Sequence, residues 1–354
     1  MAGAGAHTLL VGVDGGATEV RAFEVVQTGG WLALGPARAA FRHERVAGFE
    51  PRPLAAQSAQ RERGVTELDA PEVEQGLRWI ESYAAAIESV VARAHTAPRG
   101  AGDSTSGLRV RIGACAPGLK SADGRSLEVV KNGPRIAGFV GRLEARLARV
   151  GLVPEAPIPA LLSDGVAAGL GEQATAEGGF APVRSAYYLG GGTGLAECCL
   201  LEGRVVSMDE LSGTCEKAWA LASSSGEDYE AHLSARGLVD RYVAFGGRAG
   251  TFPEEAARAG EPAALRVFEE CARMFAELVD RRVNELSSAR GVQLERVVVG
   301  ARLGVLFGDP ALEACLRRPA ERATRIPVFV SALREAPAIG AARWALEEGP
   351  HRAD

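Results

Sequence analysis

VGVDGGATEVRAFEV, residues 11–25, and YYLGGGTGLAECCLL, residues 187–201, read alike. Each is an apolar run that stops at a glycine and threonine turn and resumes as a second apolar run, the pattern of strand, tight turn and strand. The copies lie about 175 residues apart, whereas solenoid repeats recur every 20 to 50, so the chain consists of two related domains. Around the first copy the pattern predicts strands at 7–13, 20–26 and 31–34. Residues 35–69 lack a clear period and read as strand ends and exposed loop. A helix follows from 69 to near 95, with Leu77, Ile80, Ala84, Ile87 and Val91 as its apolar stripe. APRGAGDSTSG (97–107) reads as a flexible loop, 108–115 as a strand, 136–150 as a helix and 160–162 as a short strand. Around the second copy, strands are expected at 186–189, 195–201 and 204–207, a helix at 265–289 with Arg282 as the exception on its apolar face, and a buried parallel strand at 297–299. Alternating strands and helices make the fold class α/β.

The 354 residues are 47% hydrophobic and 24% charged with 44 glycines, a globular composition that excludes a disordered chain, a collagen and a small disulfide scaffold. A net charge of -5 argues against nucleic acid as the main partner. No apolar run reaches the ~20 residues a membrane span needs, and MAGAGAHTLLVGVDGG lacks the basic region and long apolar stretch of a signal peptide, so a cytoplasmic protein is expected. The six cysteines form no C-x-x-C pair and read as buried, reduced thiols.

A strand ending in Asp-Gly-Gly-x-Thr lets backbone approach an anion, because glycine exposes N–H groups and threonine adds a hydroxyl. Asp14, Gly15, Gly16 and Thr18 in the first turn, and Gly191, Gly192, Thr193 and Gly194 in the second, are therefore candidate phosphate contacts. Either turn alone could be a plain hairpin; two at matching places are harder to dismiss. Neither is a P-loop or a dinucleotide fingerprint. A carboxylate beside a polyphosphate needs a cation between them, which assigns Asp14 to Mg²⁺ through water. In VVVGARLG (297–304) a buried strand runs into a small-residue turn where Gly300, Ala301 and Gly304 would admit a flat ring such as adenine, though an ordinary strand-to-helix connection reads the same way. Ser163 and Asp164 stand between an apolar strand and a small-residue helix, where each suits a helix cap and Asp164 also suits a general base.

Those segments together resemble the actin-like ATPase superfamily of sugar kinases, and within it the ROK family of repressors, open reading frames and kinases. VGVDGGATEVRAF is similar to its first phosphate motif, LGGGTGLAECCLLEGRV to its second, VVVGARLG to its adenosine motif, LLSDGVAAGLGE to its catalytic segment, GACAPGLKSADGR to its strand and Pro-Gly turn, and the Ala338-Ile339-Gly340-Ala341-Ala342 region to its closing helix. The resemblance implies two actin-like (ribonuclease H-like) domains with mixed sheets flanked by helices and a cleft between them. The first spans 1–160, with 331–354 packing back on it, and the second 161–330. It also implies ATP with Mg²⁺, Asp164 as the catalytic base, and a sugar or cyclitol bound by Pro117, Gly118, Asn132, Gly133, Ser163, Asp164 and Glu216. Asn132 offers the paired donor and acceptor that a hydroxyl needs, while a turn before helix-start Pro134 is the alternative; Asp209 or Glu210 could replace Glu216.

The chain departs from the family in three places. Ser163-Asp164 stands where Asn-Asp is common, Glu19 follows the first threonine where Lys is frequent, and MDELSGTCEKAWALASSSGEDYEAHLSARGLVDRY lacks the Glu-x-Gly-His sugar motif and the cysteine-rich zinc cluster. With Cys215 alone there, no structural zinc is expected. The implied activity is phosphorylation of a hydroxyl on a hexose, amino sugar or cyclitol by a soluble enzyme, with no membrane or nucleic-acid partner and a homodimer as one possible assembly. The alternatives are a sensor of the same fold without transfer, and a repressor, which would carry a helix-turn-helix segment ahead of the first motif.

Overall fold

The computed structural model describes residues 8–96 and 109–348; the loop read at 97–107 lies outside them. In chain order the elements are β1 (Thr8–Gly15), β2 (Glu19–Thr28), β3 (Trp31–Arg42), α1 (Leu54–Glu62), α2 (Ala70–Thr96), β4 (Arg109–Cys115), β5 (Leu119–Lys120), β6 (Leu127–Val129), α3 (Phe139–Ala148) and α4 (Asp164–Ala174). They continue with β7 (Ala186–Gly191), β8 (Leu195–Leu201), β9 (Arg204–Ser207), α5 (Glu230–Leu233), α6 (Ala235–Ala244), α7 (Pro253–Arg258), α8 (Pro262–Arg290), β10 (Arg296–Gly300), α9 (Ala301–Phe307), α10 (Arg318–Ala323), β11 (Val328–Val330) and α11 (Ala336–Glu347). They form two compact units, one running up to Thr175 and resuming at Glu335, the other Ala176–Arg334.

The first unit holds a mixed sheet in the order β3-β2-β1-β4, with β1 antiparallel to β2 and parallel to β4. Leu9, Val11 and Val13 of β1 are buried with the aromatic face of α2 and with α3, whereas Leu10 is buried with Ile339, Ala342 and Ala345 of α11. A strand covered on both faces reads as a continuous apolar run, which is why this one was legible. The second unit repeats the plan as β9-β8-β7-β10-β11, again antiparallel through its first three strands and parallel beyond. Its core is built on α8, whose Phe268, Cys271, Phe275, Leu278 and Leu286 are buried.

Several expectations need correction. The expected strand at 160–162 is a single parallel bridge, Cys115 to Leu162, because the Ala160 carbonyl accepts from Trp344 Nε1 at 3.0 Å and the Leu161 N–H donates to Gly124 at 2.9 Å instead of to a ladder. The division between units falls after Thr175, beyond the expected 160, and again before Glu335 rather than at 331. The reason is α4, which lies so close to α11 that a Cβ on Gly340 would overlap the Ala167 carbonyl. Residues 35–69, read as strand ends and loop, do carry the end of β3 as far as Arg42, but they also hold an unexpected helix, α1. On α2, Leu77 is 48% exposed, and Trp79, Ile80, Tyr83, Ala84 and Ile87 form the buried face. All six cysteines are buried and none forms a disulfide. Among the described residues no helix is long and apolar enough to cross a membrane.

Candidate active site

In the first unit three chain segments meet side by side. Asp14, at the end of β1, lies opposite Cys115 in the parallel register, and Cys115 bridges to Leu162, two residues before Asp164. Asp14 is buried; its Oδ2 is 2.5 Å from Nη2 of Arg21, the residue facing it across β1 and β2, and its Oδ1 is 3.7 Å from Cys115 Sγ. The turn between β1 and β2 is Gly16-Ala17-Thr18, closed by the Gly16 N–H donating to Glu19 at 2.8 Å, with Thr18 exposed at its tip. Gly15 has a packing reason for lacking a Cβ: one there would overlap the Tyr83 hydroxyl.

Ser163 caps α4, its Oγ accepting from the Val166 N–H at 3.3 Å, so the cap falls to Ser163 and Asp164 is the first helical residue. Asp164 is half-buried and accepts from the Gly165 N–H at 3.0 Å. Burial raises its pKa above the usual carboxylate value; the Lys120 ammonium pulls it down and Asp14 pushes it up. Lys120 sits beyond the Pro117-Gly118 turn, donating to the carbonyls of Ala116 at 2.6 Å and Gly118 at 2.8 Å, while the Ala116 N–H reaches Leu162 at 3.1 Å. Asp14, Lys120 and Asp164 thus form one electrostatic group at the ends of neighbouring segments. Asn132 is exposed on a separate loop whose Gly133 lies under Trp79. The loop is anchored from beneath by Arg135, 1% exposed, which pairs with Glu72 at 2.8 Å and also donates to Gln60 and the Glu67 carbonyl.

In the second unit the turn Gly192-Thr193-Gly194 closes more tightly, the Gly192 N–H donating to Gly194, two residues on, at 2.8 Å. It is held from behind by the Ala235 N–H on the Gly192 carbonyl at 2.9 Å and by Glu230, which accepts from the Leu195 N–H at 3.1 Å. Gly191, at the end of β7, bridges to Ala301. Ala301 adopts a φ of 51°, a left-handed conformation that disfavours alanine by roughly 1–2 kcal/mol. Beside it lies a cavity of about 320 Å³, lined by Ala301, Gly304, Val305 and Gly308 on one side and by Val330, Ser331, Ala332, Leu333 and Arg334 on the other. Glu216 is exposed, with Oε1 at 3.4 Å from the Gly213 N–H. Asp209 pairs with Lys217 at 2.7 Å and Glu210 with Arg204 at 2.9 Å, so these two carboxylates are occupied locally.

Arg21, Lys120, Arg135 and Arg334 were not named as site residues from the sequence, although Lys120 lies in the Pro-Gly turn segment GACAPGLKSADGR and Arg135 directly follows Asn132-Gly133-Pro134. Arg21 left a signal of its own, since its two-stranded turn places it opposite Asp14 once the hairpin is accepted.

No protein-family model and no curated protein matches the chain. Solved structures do. A ROK family glucokinase from Streptomyces griseus in complex with glucose and AMPPNP is similar with a TM-score of 0.62 at 18% identity, over 96% of this chain and 99% of that one. A ROK hexokinase from Thermus thermophilus is similar with a TM-score of 0.58 at 20% identity, over 96% and 99%. A ROK family transcriptional regulator, a homologue of the E. coli MLC protein, matches with a TM-score of 0.56 at 14% identity, over 96% of this chain and 78% of that one. The chain shares the mixed α/β fold of these ROK-family structures, kinases and regulator alike.

Proposed function

We propose that the protein is an ATP-dependent kinase that phosphorylates a hydroxyl of a hexose-like small molecule, a hexose, an amino sugar or a cyclitol. The observation that carries this reading is Asp164, a half-buried carboxylate grouped with Lys120 and Asp14 beside the first glycine turn, in a fold shared with a glucokinase that binds glucose and AMPPNP. Phosphoryl transfer needs positioning, charge neutralisation and a group that takes the acceptor's proton. Asp164 accepts that proton as the hydroxyl oxygen bonds to the γ-phosphorus and the bond from that phosphorus to the β,γ-bridging oxygen breaks, releasing ADP; the Lys120 charge favours the carboxylate form against the burial that opposes it.

Ala17 and Thr18, and Thr193 and Gly194, offer backbone N–H groups and hydroxyls to phosphate oxygens, while the Gly16 and Gly192 N–H groups close their turns and their missing side chains leave room for the anion. The cavity at Ala301 and Gly304 falls within the size range of small-molecule sites and suits an adenine ring. Pro117, Gly118, Asn132, Gly133 and Ser163 are assigned to the acceptor, and Glu216 to it only if a bound sugar reaches that exposed position. Mg²⁺ fits Asp14 through its water shell: both carboxylate oxygens already have neighbours, Arg21 and Cys115, so direct coordination would displace the guanidinium. The ion would neutralise the phosphate charge during transfer.

The Arg21 pair also supports a second reading, a sugar- and nucleotide-binding regulator without transfer, since it neutralises the carboxylate meant for the metal and a ROK regulator shares the fold. A phosphotransfer screen with ATP and Mg²⁺ over hexoses, amino sugars and cyclitols separates the two. Binding of sugar and ATP with no phosphorylated product selects the regulator.

Nucleotide binding has its own test in Gly192→Val. A Cβ there would meet only the Gly194 carbonyl, at 4.0 Å, so the fold accommodates the side chain, which then occupies space assigned to phosphate. ATP affinity measured by calorimetry is expected to fall at least ~tenfold with the melting temperature unchanged. Unchanged ATP affinity in the folded variant would refute the phosphate assignment.

A further inference from the structure

We infer that His43 is a positioning residue of the first phosphate turn, holding its carbonyl groups away from the anion; this rests on the kinase reading above. A turn binds phosphate only when its N–H groups face the ligand, and a carbonyl oxygen pointing the same way would repel it. In the turn Gly16-Ala17-Thr18 one residue takes both flanking carbonyls. The His43 N–H donates to Thr18 at 3.0 Å, and the His43 ring nitrogen Nε2 is 3.0 Å from the Gly16 oxygen. Because that partner is a carbonyl, Nε2 carries the hydrogen. The other ring nitrogen, Nδ1, is buried with no hydrogen-bond partner, so a second proton would create an unsatisfied donor, and burial holds the ring's pKa below the ordinary histidine value.

The ring is fixed from its other side. It stacks on Trp79 with centroids 4.4 Å apart and planes at 14°, and lies nearly parallel to Tyr83 at 6.3 Å. Gln75 holds the chain next to it, accepting from the Val46 N–H at 2.8 Å and donating to the Glu44 carbonyl at 2.8 Å. Trp79 also packs against Gly133 of the acceptor loop. His43 therefore stands on a rigid aromatic platform, built on α2, that reaches both the donor turn and the loop assigned to the acceptor. A ring needed only to fill space would not require its one hydrogen to point at the phosphate turn.

His43→Phe keeps a flat ring for Trp79 and removes the donor. His43→Gln keeps an N–H at similar reach and removes the stack. With ATP and the acceptor found by the screen, His43→Phe is expected to raise KM for ATP about tenfold, the effect of one lost hydrogen bond to the turn, with kcat changed far less and the melting temperature held. His43→Gln is expected to recover most of the ATP KM even where it lowers the melting temperature. Wild-type KM in folded His43→Phe overturns the inference. So does a KM that follows melting temperature in both variants, since the role would then be structural. ATP titration of the unmodified protein separates the two proposals: no binding removes the kinase reading and with it this one, whereas tight binding by both wild type and His43→Phe removes the positioning role and leaves the kinase reading intact.

Discussion

Asp164→Asn is expected to lower turnover by about 10²- to 10⁴-fold, the usual contribution of a positioned general base, while ATP affinity stays within about twofold. The amide preserves shape and can still accept from the Gly165 N–H, which wild-type Oδ1 meets at 3.0 Å. What it loses is the lone pair that takes the acceptor's proton. The acid limb of the wild-type pH profile should lie above the ordinary carboxylate range, because burial raises the Asp164 pKa despite the opposing Lys120 charge. That limb should vanish in the variant.

Stability should move the other way. A carboxyl whose folded pKa is raised contributes stability in its protonated form, fully present below the unfolded value of ~3.9 and lost as pH rises through the folded value. At neutral pH the wild type therefore carries a penalty for the buried charge that Asn does not. Asp164→Asn should melt above wild type at neutral pH, with the difference closing as the pH falls through the folded pKa toward the unfolded value of ~3.9. Steady-state kinetics and thermal melts across that range check both halves. Near wild-type turnover would remove Asp164 from the chemistry.

The features that proved legible in the sequence are local. The two glycine turns, the bounds of β8 and β9, and the capped start of α4 are set by residues within a few positions of one another. The full length of β3 was not legible, and the residues after 34 read only as strand ends and loop, because it is the sheet edge: only Leu32 and Ala37 are buried along it. On α2 the expected Ile80, Ala84 and Ile87 are buried, but the face is centred on Trp79 and Tyr83 and leaves Leu77 exposed, because the aromatic residues bury more apolar area. The supporting charges were hidden for another reason. Arg135 finds Glu72 across 63 positions and Arg282 finds Glu197 across 85, so neither pairing leaves a periodic trace.

Arg282→Leu is expected to destabilise the protein by about 3–5 kcal/mol, although leucine suits the apolar face of α8 better by every sequence rule. The Arg282 side chain is 0% exposed and that of Glu197 3%. Arg282 Nη2 meets Glu197 Oε1 at 3.0 Å and also donates to the Glu216 carbonyl, while Nη1 meets Glu285 at 2.8 Å. Glu197 accepts in addition from the Tyr187 hydroxyl at 2.5 Å and from the Ala218 N–H at 2.7 Å. The cluster therefore ties residues 216–218 to β7, β8 and α8 in the segment where the ROK resemblance would put a zinc cluster. Removing the guanidinium strands a buried carboxylate with two neutral donors, and the desolvation of that charge is what destabilises the fold, since the packing volume is nearly kept. Adding Glu197→Gln removes the stranded charge and leaves a carbonyl oxygen to accept from the Ala218 N–H and an amide N–H to donate to the Tyr187 oxygen, so the double variant should regain most of the loss. Denaturant unfolding reads both effects as shifts in midpoint at constant slope. A loss below about 1 kcal/mol in the single variant, or a double variant no better than the single, would mean that the charge of Glu197 is not what Arg282 compensates.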